Sequence, residues 1–418
     1  PEGSLKKSNF DYRAFSNLDF YCYDPVYDLA GLATELELAS IKANLPANLA
    51  ARQLKKEYEA LTGEAVSEER WLLYSWVSYL ARNHNPALEK QSPEMTRGLA
   101  RSFQTYYASV YFADLEPGTS AKGTLCALDV DGVLETGKFG FPALSPASAS
   151  ALRALIRHGY RPVLVTGRSL AEVRERCYNY RLSGGVAEYG GVIYNHRTGE
   201  THELLNESER ASLQELRHVL STMEGVYLDS DYRVAVRAYH LRPSGRRHGL
   251  SSEEVNTALD RSGTTGLIRS IPGYNQTDFM VVGIDKGTGL REMLAAFEPE
   301  ARTGEQPAVA FAVGDTLADL PMLRMASQAW APGHAAANMK NEPVRVTRQA
   351  FQAGLKQATA ELLGHQPGHC AICRVVPHSD ETQQLLGLLE VMDSSKAGKA
   401  RHALLQLLRL DSSAKYNR

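Results

Sequence analysis

The run Leu125-Cys126-Ala127-Leu128-Asp129-Val130-Asp131-Gly132-Val133 reads as an apolar strand that ends in two aspartates one residue apart, then a glycine. Carboxylates at the carboxyl end of a parallel strand emerge at the crevice where α/β sheets bind ligands. Strand alternation sends Asp129 and Asp131 to one side, so one can serve as nucleophile and the other as proton carrier for the same substrate. Three further segments carry chemistry at comparable places. Val165-Thr166-Gly167-Arg168 ends a strand with a hydroxyl, and Asp285-Lys286-Gly287-Thr288-Gly289-Leu290 puts an ammonium at the start of an amphipathic helix. Ala312-Val313-Gly314-Asp315-Thr316-Leu317-Ala318-Asp319 ends a strand with carboxylates four apart, one helical turn if Asp315 opens a helix. Taken singly, each pattern has a plainer reading: a helix cap, a turn, a solvated lysine. Their order along the chain gives them weight.

The elements that must position these groups are short apolar runs alternating with amphipathic helices. The runs are Thr124–Val130, Arg161–Thr166, Gly185–Glu188 and Ala308–Val313. That rhythm predicts an α/β fold, a doubly wound parallel sheet covered on both faces. Ser145 and Ser169 are expected helix N-caps, the first followed by Pro146. From 191 to 275 the rhythm changes: strand-like Val192–Tyr194, Tyr232–His240 and Leu267–Ser270 surround helical Glu207–Leu220 and Ser252–Arg261, an inserted α+β unit. Residues up to about 113 are helical (Leu29 to Ile41, Leu49 to Leu61, Glu68 to Ala81), and Glu116–Ser120 is a candidate linker. The expected division is a helical lobe over 1–115, a core over 116–190 and 276–364, a cap over 191–275, and a Cys/His segment with a helical tail over 365–418.

Together the four chemistry-bearing segments resemble the ordered motifs of the haloacid dehalogenase superfamily in its phosphatase branch, over about residues 120 to 365 and including the cap-like insertion. The resemblance implies a phosphomonoester hydrolase in which Asp129 attacks phosphorus to give an aspartyl-phosphate. Mg²⁺ would be held by Asp129, the backbone carbonyl of Asp131 and Asp315, with Asp319 a second ligand or an orienting group. Lys286 would keep Asp129 ionised, Thr166 and the Gly167 N–H would hold phosphate oxygens, and Asp131 would protonate the leaving alcohol and then deprotonate water. With Asp131 present, a dehalogenase is disfavoured. Caps of this position and size in the family close over small phosphorylated molecules, very often sugar phosphates. Arg233, Arg237, Tyr239 and His240 on a strand-like run, then Arg242, Arg246, Arg247 and His248 in a Pro/Gly loop, suit an anionic substrate, and Arg168 joins them at the rim. Many relatives have Asn where Tyr189 stands, so substrate contacts there do not carry over.

Near the amino terminus, Leu18-Asp19-Phe20 and Asp24-Pro25-Val26-Tyr27-Asp28-Leu29-Ala30 look like the end of a catalytic domain in the aminoglycoside phosphotransferase and choline kinase group, over roughly 17 to 113. There an Asp placed like Asp19 binds Mg²⁺. A Gly-rich loop, a phosphate-gripping Lys and a His-x-Asp loop cannot fit in the first sixteen residues, so this region as given phosphorylates nothing alone. A cut kinase–phosphatase fusion, a decayed lobe kept as scaffold and a coincidental helical domain all stay open. Asp19 and Asp28 read most simply as caps or ion-pair partners.

In the carboxy-terminal segment, Cys370-x-x-Cys373 with His365, His369 or His378 could make a four-ligand Zn²⁺ site. Cys126 and Cys177 read as packed apolar groups. The sequence of 418 residues has 43% hydrophobic and 22% charged residues, enough for a sizeable core. Lys+Arg (46) nearly balances Asp+Glu (48), which removes the bulk electrostatic case for nucleic-acid or membrane partners and leaves a small phosphorylated molecule. Five cysteines, an odd count, suit a reducing, cytoplasmic setting. The first residue is Pro1, so a trimmed chain or one piece of a longer product is expected. A phosphomutase, a bifunctional kinase–phosphatase and a non-catalytic scaffold remain as rival functions.

Overall fold

The computed structural model describes residues 24–43, 49–83, 93–115, 123–137, 141–243, 247–273, 275–297, 309–375 and 379–393. The chain divides into two units, one ending at Tyr106 and the other beginning at Tyr107. The expected linker Glu116–Ser120, Asp19, His378 and the helix expected over Lys399–Leu410 lie outside the described residues.

The first unit contains α1 (Pro25–Lys42), α2 (Leu49–Thr62), α3 (Glu68–Asn83) and α4 (Pro93–Tyr111), the last of which runs on into the second. Asp24 caps α1: its side chain accepts from the Val26 N–H at 2.9 Å, and Pro25 takes the first-turn position where no N–H is needed. Val26, Ala30, Ala33 and Ile41 bury one stripe of α1, against which α3 and α2 pack. The Asp24 carboxylate also receives Arg70 Nε at 2.7 Å and Tyr74 Oη at 2.6 Å, which ties the start of α1 to α3. Burial opposes charge on Asp24, but these donors together hold its carboxyl below the usual range. Asp24 is therefore a structural residue here, and Asp28 lies in the first turn of the same helix.

In the second unit the strands and helices run β1 (Leu125–Leu128), α5 (Pro146–Arg157), β2 (Arg161–Val165), α6 (Leu170–Tyr180), β3 (Gly184–Ala187), β4 (Val192–Asn195), β5 (Thr201–Glu203), α7 (Glu207–Ser221), β6 (Val226–Leu228), β7 (Val236–Leu241), β8 (Arg247–His248), α8 (Ser252–Arg261), β9 (Ile268–Pro272), β10 (Thr277–Val281), α9 (Lys286–Phe297), β11 (Val309–Val313), α10 (Leu320–Leu323), β12 (Ala326–Ala331), β13 (Arg345–Val346), α11 (Phe351–Leu363) and α12 (Asp380–Asp393). The large sheet has the order β13-β12-β11-β1-β2-β3-β4-β5. It is parallel from β13 to β3 and antiparallel at β4 and β5. Every residue of β1, β2 and β3 is buried, as a sheet covered on both faces requires. Leu125, Ala127, Val163 and Val165 face Leu290 and Met293 of α9 and Met322 and Leu323 of α10. The alternate residues Cys126, Leu128 and Leu164 are equally buried, and α5 and α11 pack against each other. This is the α/β class expected from the alternating runs.

The serines cap as expected. Ser145 and Ser148 form a capping box before α5, and Ser169 accepts from the Glu172 N–H before α6.

A second, antiparallel sheet of order β6-β7-β10-β9, with β8 on β7, carries α7 and α8. Two strands fall on the other side of the expected cap limits. Val192–Asn195 pairs with β3 in the large sheet, whereas Thr277–Val281 lies inside the small one. Hairpin pairing to β3 holds the first, and the fully buried pattern of β10 suits a central strand of the cap sheet.

Candidate active site

The parallel strands β11, β1 and β2 are neighbours, so their carboxyl ends open on one rim. At the end of β1 the Asp129 N–H bonds Val313 O at 3.0 Å, and the carboxylate is buried. Lys286, the first residue of α9, reaches Asp129 Oδ1 at 2.8 Å and Asp319 Oδ1 at 2.5 Å. Asp319 Oδ2 accepts from the backbone N–H of Asp315 (3.0 Å), that of Thr316 (2.8 Å) and the Thr316 hydroxyl (2.8 Å). Both oxygens of Asp319 accept hydrogen bonds, which tie Lys286 and the Asp315 turn to it.

Carboxylate oxygens of Asp129, Asp315 and Asp319 lie within 4.8 Å of one another. Burial, with the carboxylates of Asp319, Asp315 and Asp131, pushes the Asp129 carboxyl well up against the pull of Lys286. Burial also raises Asp315, against its bond to His334. Asp315 Oδ1 is buried with no hydrogen-bond partner. An orphaned carboxylate oxygen in a crowded anionic cluster with all-oxygen donors fits a hard divalent cation.

Asp131 is engaged by a neighbour at the rim. Regular strand geometry ends at Leu128, and the chain turns through Gly132 (φ +80°). Asp131 is 62% exposed and pairs with Arg168 through Nε at 2.9 Å and Nη2 at 2.5 Å. Its neighbours withdraw it partly from water, but the guanidinium wins and holds its carboxyl below the usual range. Gly132 is required twice over: a Cβ there would also meet Asp315 Oδ2 at 1.9 Å. The loop is held from behind by Glu135, whose carbonyl accepts the Gly132 N–H at 2.9 Å and whose buried carboxylate takes Arg176 (2.9 and 2.7 Å) and Tyr180 Oη (2.7 Å).

At the end of β2, Thr166 is buried and its hydroxyl accepts the Arg168 N–H at 3.2 Å. The Tyr189 ring occupies the place a Cβ on Gly167 would need. Tyr189 Oη donates to Asp278 Oδ2 at 2.6 Å, and Arg237 binds the same buried carboxylate at 2.7 and 2.9 Å while lying over the Tyr232 ring. Arg237, expected as a substrate group, is paired with Asp278 on the neighbouring strand of the small sheet, and Tyr189, between β3 and β4, reaches the same carboxylate. Arg233 and Arg242 are exposed on the cap. Glu188 Oε2 takes the backbone N–H groups of Arg233, Val234 and Ala235 at 2.8 to 3.0 Å.

His334 is the residue that sequence reasoning missed. It follows β12, beside β11, and Nε2 lies 3.0 Å from Asp315 Oδ2. Its signal was present: Ala329-Trp330-Ala331-Pro332-Gly333-His334 is another apolar strand end with turn residues.

No family model matches the chain. Over 243 residues it is 27% identical to phosphoglycolate phosphatase from Methanothrix thermoacetophila, a match covering 57% of this chain and 95% of that protein. Its curated relatives are phosphatases. Phosphoglycolate phosphatase from Nitrosopumilus maritimus is 26% identical over 243 residues, covering 56% and 94% of the two chains. A solved phosphatase of the haloalkanoate (HAD) superfamily from Bacteroides thetaiotaomicron is 18% identical with TM-score 0.44, covering 60% of this chain and 99% of its own. The chain is thus similar in sequence to phosphatases, and the cluster of Asp129, Asp315 and Asp319 can hold a cation.

Proposed function

We propose that the protein is a Mg²⁺-dependent phosphomonoesterase of the haloacid dehalogenase type, acting on a small phosphorylated metabolite in the cytoplasm. The observation that carries this reading is the state of Asp129. Lys286 binds Oδ1, and among the described residues no donor bonds Oδ2, at a rim shared with Thr166 and Asp315. The phosphatase relatives support it, and the four free cysteines among the described residues suit a reducing compartment.

In the proposed reaction Asp129 Oδ2 forms a bond to phosphorus as the bond from phosphorus to the substrate oxygen breaks. Asp131 gives the leaving oxygen its proton. A water molecule then attacks the aspartyl-phosphate, Asp131 takes its proton, and Asp129 leaves as carboxylate with inorganic phosphate. Splitting hydrolysis this way replaces one hard displacement by two easier ones. Lys286, Thr166 and the Gly167 N–H are suited to hold anionic oxygens, and such fixed donors are usually the largest catalytic contribution. The bidentate grip of Arg168 keeps Asp131 ionised, so Asp131 must leave that grip to act as an acid. Asp129, Asp315 and the Asp131 carbonyl would hold Mg²⁺, with Asp319 orienting. The cation supplies positive charge that offsets the repulsion between a phosphate dianion and a carboxylate.

Phosphoglycolate, named for the relatives, is the first compound to assay, and sugar phosphates are the second set, with Arg233 and Arg242 on the cap as candidate contacts. Free phosphate release is measured with and without Mg²⁺, for wild type and Asp129→Asn. Turnover is expected to require Mg²⁺ and to disappear in Asp129→Asn while the folded circular dichroism spectrum persists. Wild-type turnover by that variant removes the nucleophile assignment, and isomer formation without phosphate release makes the protein a mutase instead.

A further inference from the structure

A second cluster of ligating atoms lies away from the carboxylates. His158 closes α5 as its C-cap residue, and its Nε2 lies 3.3 Å from Cys370 Sγ. Cys370 Sγ is 3.3 Å from Cys373 Sγ, which in turn is 3.6 Å from His365 Nε2. All four atoms fall within 4.8 Å of one another. Tetrahedral zinc, with Zn–S of about 2.3 Å and Zn–N of about 2.0–2.1 Å, needs S···S near ~3.8 Å, S···N near ~3.6 Å and N···N near ~3.4 Å. The S···N separations of 3.3 and 3.6 Å are close to these values, and S···S at 3.3 Å is shorter by about half an ångström, so a small side-chain adjustment would seat one shared ion.

The groups around these atoms favour the ligating forms. The Gly368 N–H donates to Cys373 Sγ at 3.2 Å and the Cys373 N–H to Cys370 Sγ at 3.3 Å, bonds that favour a thiolate. His365 Nδ1 lies 3.2 Å from Leu363 O, a carbonyl that can only accept, so Nδ1 carries the hydrogen and Nε2 presents its lone pair to the cluster. Two glycines with positive φ, Gly364 (+72°) and Gly368 (+89°), turn the chain between α11 and the cysteines.

We propose that His158, His365, Cys370 and Cys373 bind one structural Zn²⁺ that pins the segment after α11 to the end of α5. Soft thiolates with imidazoles select zinc over Mg²⁺, and four protein ligands leave no open position for catalysis. The ligand set differs from the one expected from sequence. His369 is exposed and outside the cluster, His378 lies outside the described residues, and His158, more than 200 positions upstream, takes the remaining corner. The segment is already tied to α5 at three carbonyls. Arg153 donates to Cys373 O at 3.3 Å and Arg374 O at 3.1 Å, and Arg157 to Ile372 O at 3.0 Å. Since α5 runs back from the rim and β2 returns to it, His158 lies at the sheet edge opposite Thr166. The zinc site is independent of the phosphatase reading.

The full chain, purified without chelator and exchanged into excess Mg²⁺, is expected to retain one zinc per chain by mass spectrometry of the metal. Replacing zinc with Co²⁺ is expected to produce a sulfur-to-metal charge-transfer band and the visible bands of a tetrahedral site. His158→Ala is expected to weaken zinc binding at least ~100-fold, since even outer partners of ligands are worth about 10–100-fold, whereas His369→Ala leaves it unchanged. Should His158→Ala fail to fold, the wild-type cobalt spectrum decides alone. Cobalt without sulfur charge transfer, zinc content unaltered by Cys370→Ser, or a Cys370–Cys373 disulfide in freshly isolated chain overturns the proposal.

Discussion

His334 Nε2 lies 3.0 Å from Asp315 Oδ2, and the Phe351 backbone N–H donates to His334 Nδ1 at 3.1 Å. Nδ1 must accept, so the hydrogen sits on Nε2 and is given to Asp315. The Phe351 ring stacks on the imidazole with centroids 3.9 Å apart, and Phe351 has a φ of +52°. A residue on one strand end thereby holds one oxygen of a carboxylate on the next, while Asp315 Oδ1 is buried without a hydrogen-bond partner.

His334 is expected to act through Asp315. His334→Ala should raise the Mg²⁺ concentration for half-maximal turnover by ~10–100-fold, with kcat recovered at saturating Mg²⁺. A metal titration of phosphate release reads both quantities, and a fall in kcat alone contradicts the positioning role.

Gly132→Ala tests the same carboxylate from the other side. The left-handed backbone costs an L-residue about 1–2 kcal/mol, and the added methyl must displace Asp315. Thermal melts should show a lower Tm, and turnover at fixed Mg²⁺ should fall further than in His334→Ala.

The buried pair Glu135–Arg176 supports the Asp131 loop. Removing one partner leaves an uncompensated buried charge, which typically costs ~3–5 kcal/mol. Urea unfolding of Arg176→Ala should show a loss of that order, with reduced turnover in the folded fraction because Glu135 also holds Gly132.

Acid should weaken the attachment of α5. Hydrogen bonds from Arg153 hold the Asp114 carboxyl below the usual range. A carboxyl depressed in the folded state contributes stability above its unfolded pKa and loses it as pH falls through the folded value. Wild type should therefore lose more stability between about pH 6 and pH 3 than Asp114→Asn, read as the difference in urea midpoint around the ordinary Asp value of about 3.9.

Much of the site was legible because it lies at punctuation. Asp129, Thr166, Lys286 and Asp315 each stand where an apolar run stops or a helix starts, and a parallel sheet gathers such ends at one rim. Periodicity gave the helix bounds well where capping serines and asparagine were present, as at Ser251 and Asn206. It could not assign Val192–Asn195 and Thr277–Val281 to their sheets, because a short buried strand carries the same pattern in either one.

The order and residue types along the chain determined the α/β class, the rim where Asp129, Thr166 and Asp315 stand, and the presence of an inserted α+β unit, since these follow from local pattern and from how parallel strands connect. Tertiary structure alone decided the rest. It turned Asp131 to Arg168, committed Arg237 to Asp278, set His334 behind Asp315 and brought His158 to Cys370. Each pairing joins residues far apart in sequence, and the partner is chosen by backbone direction at a turn and by the burial of charge, neither of which has a period that a linear reading can detect.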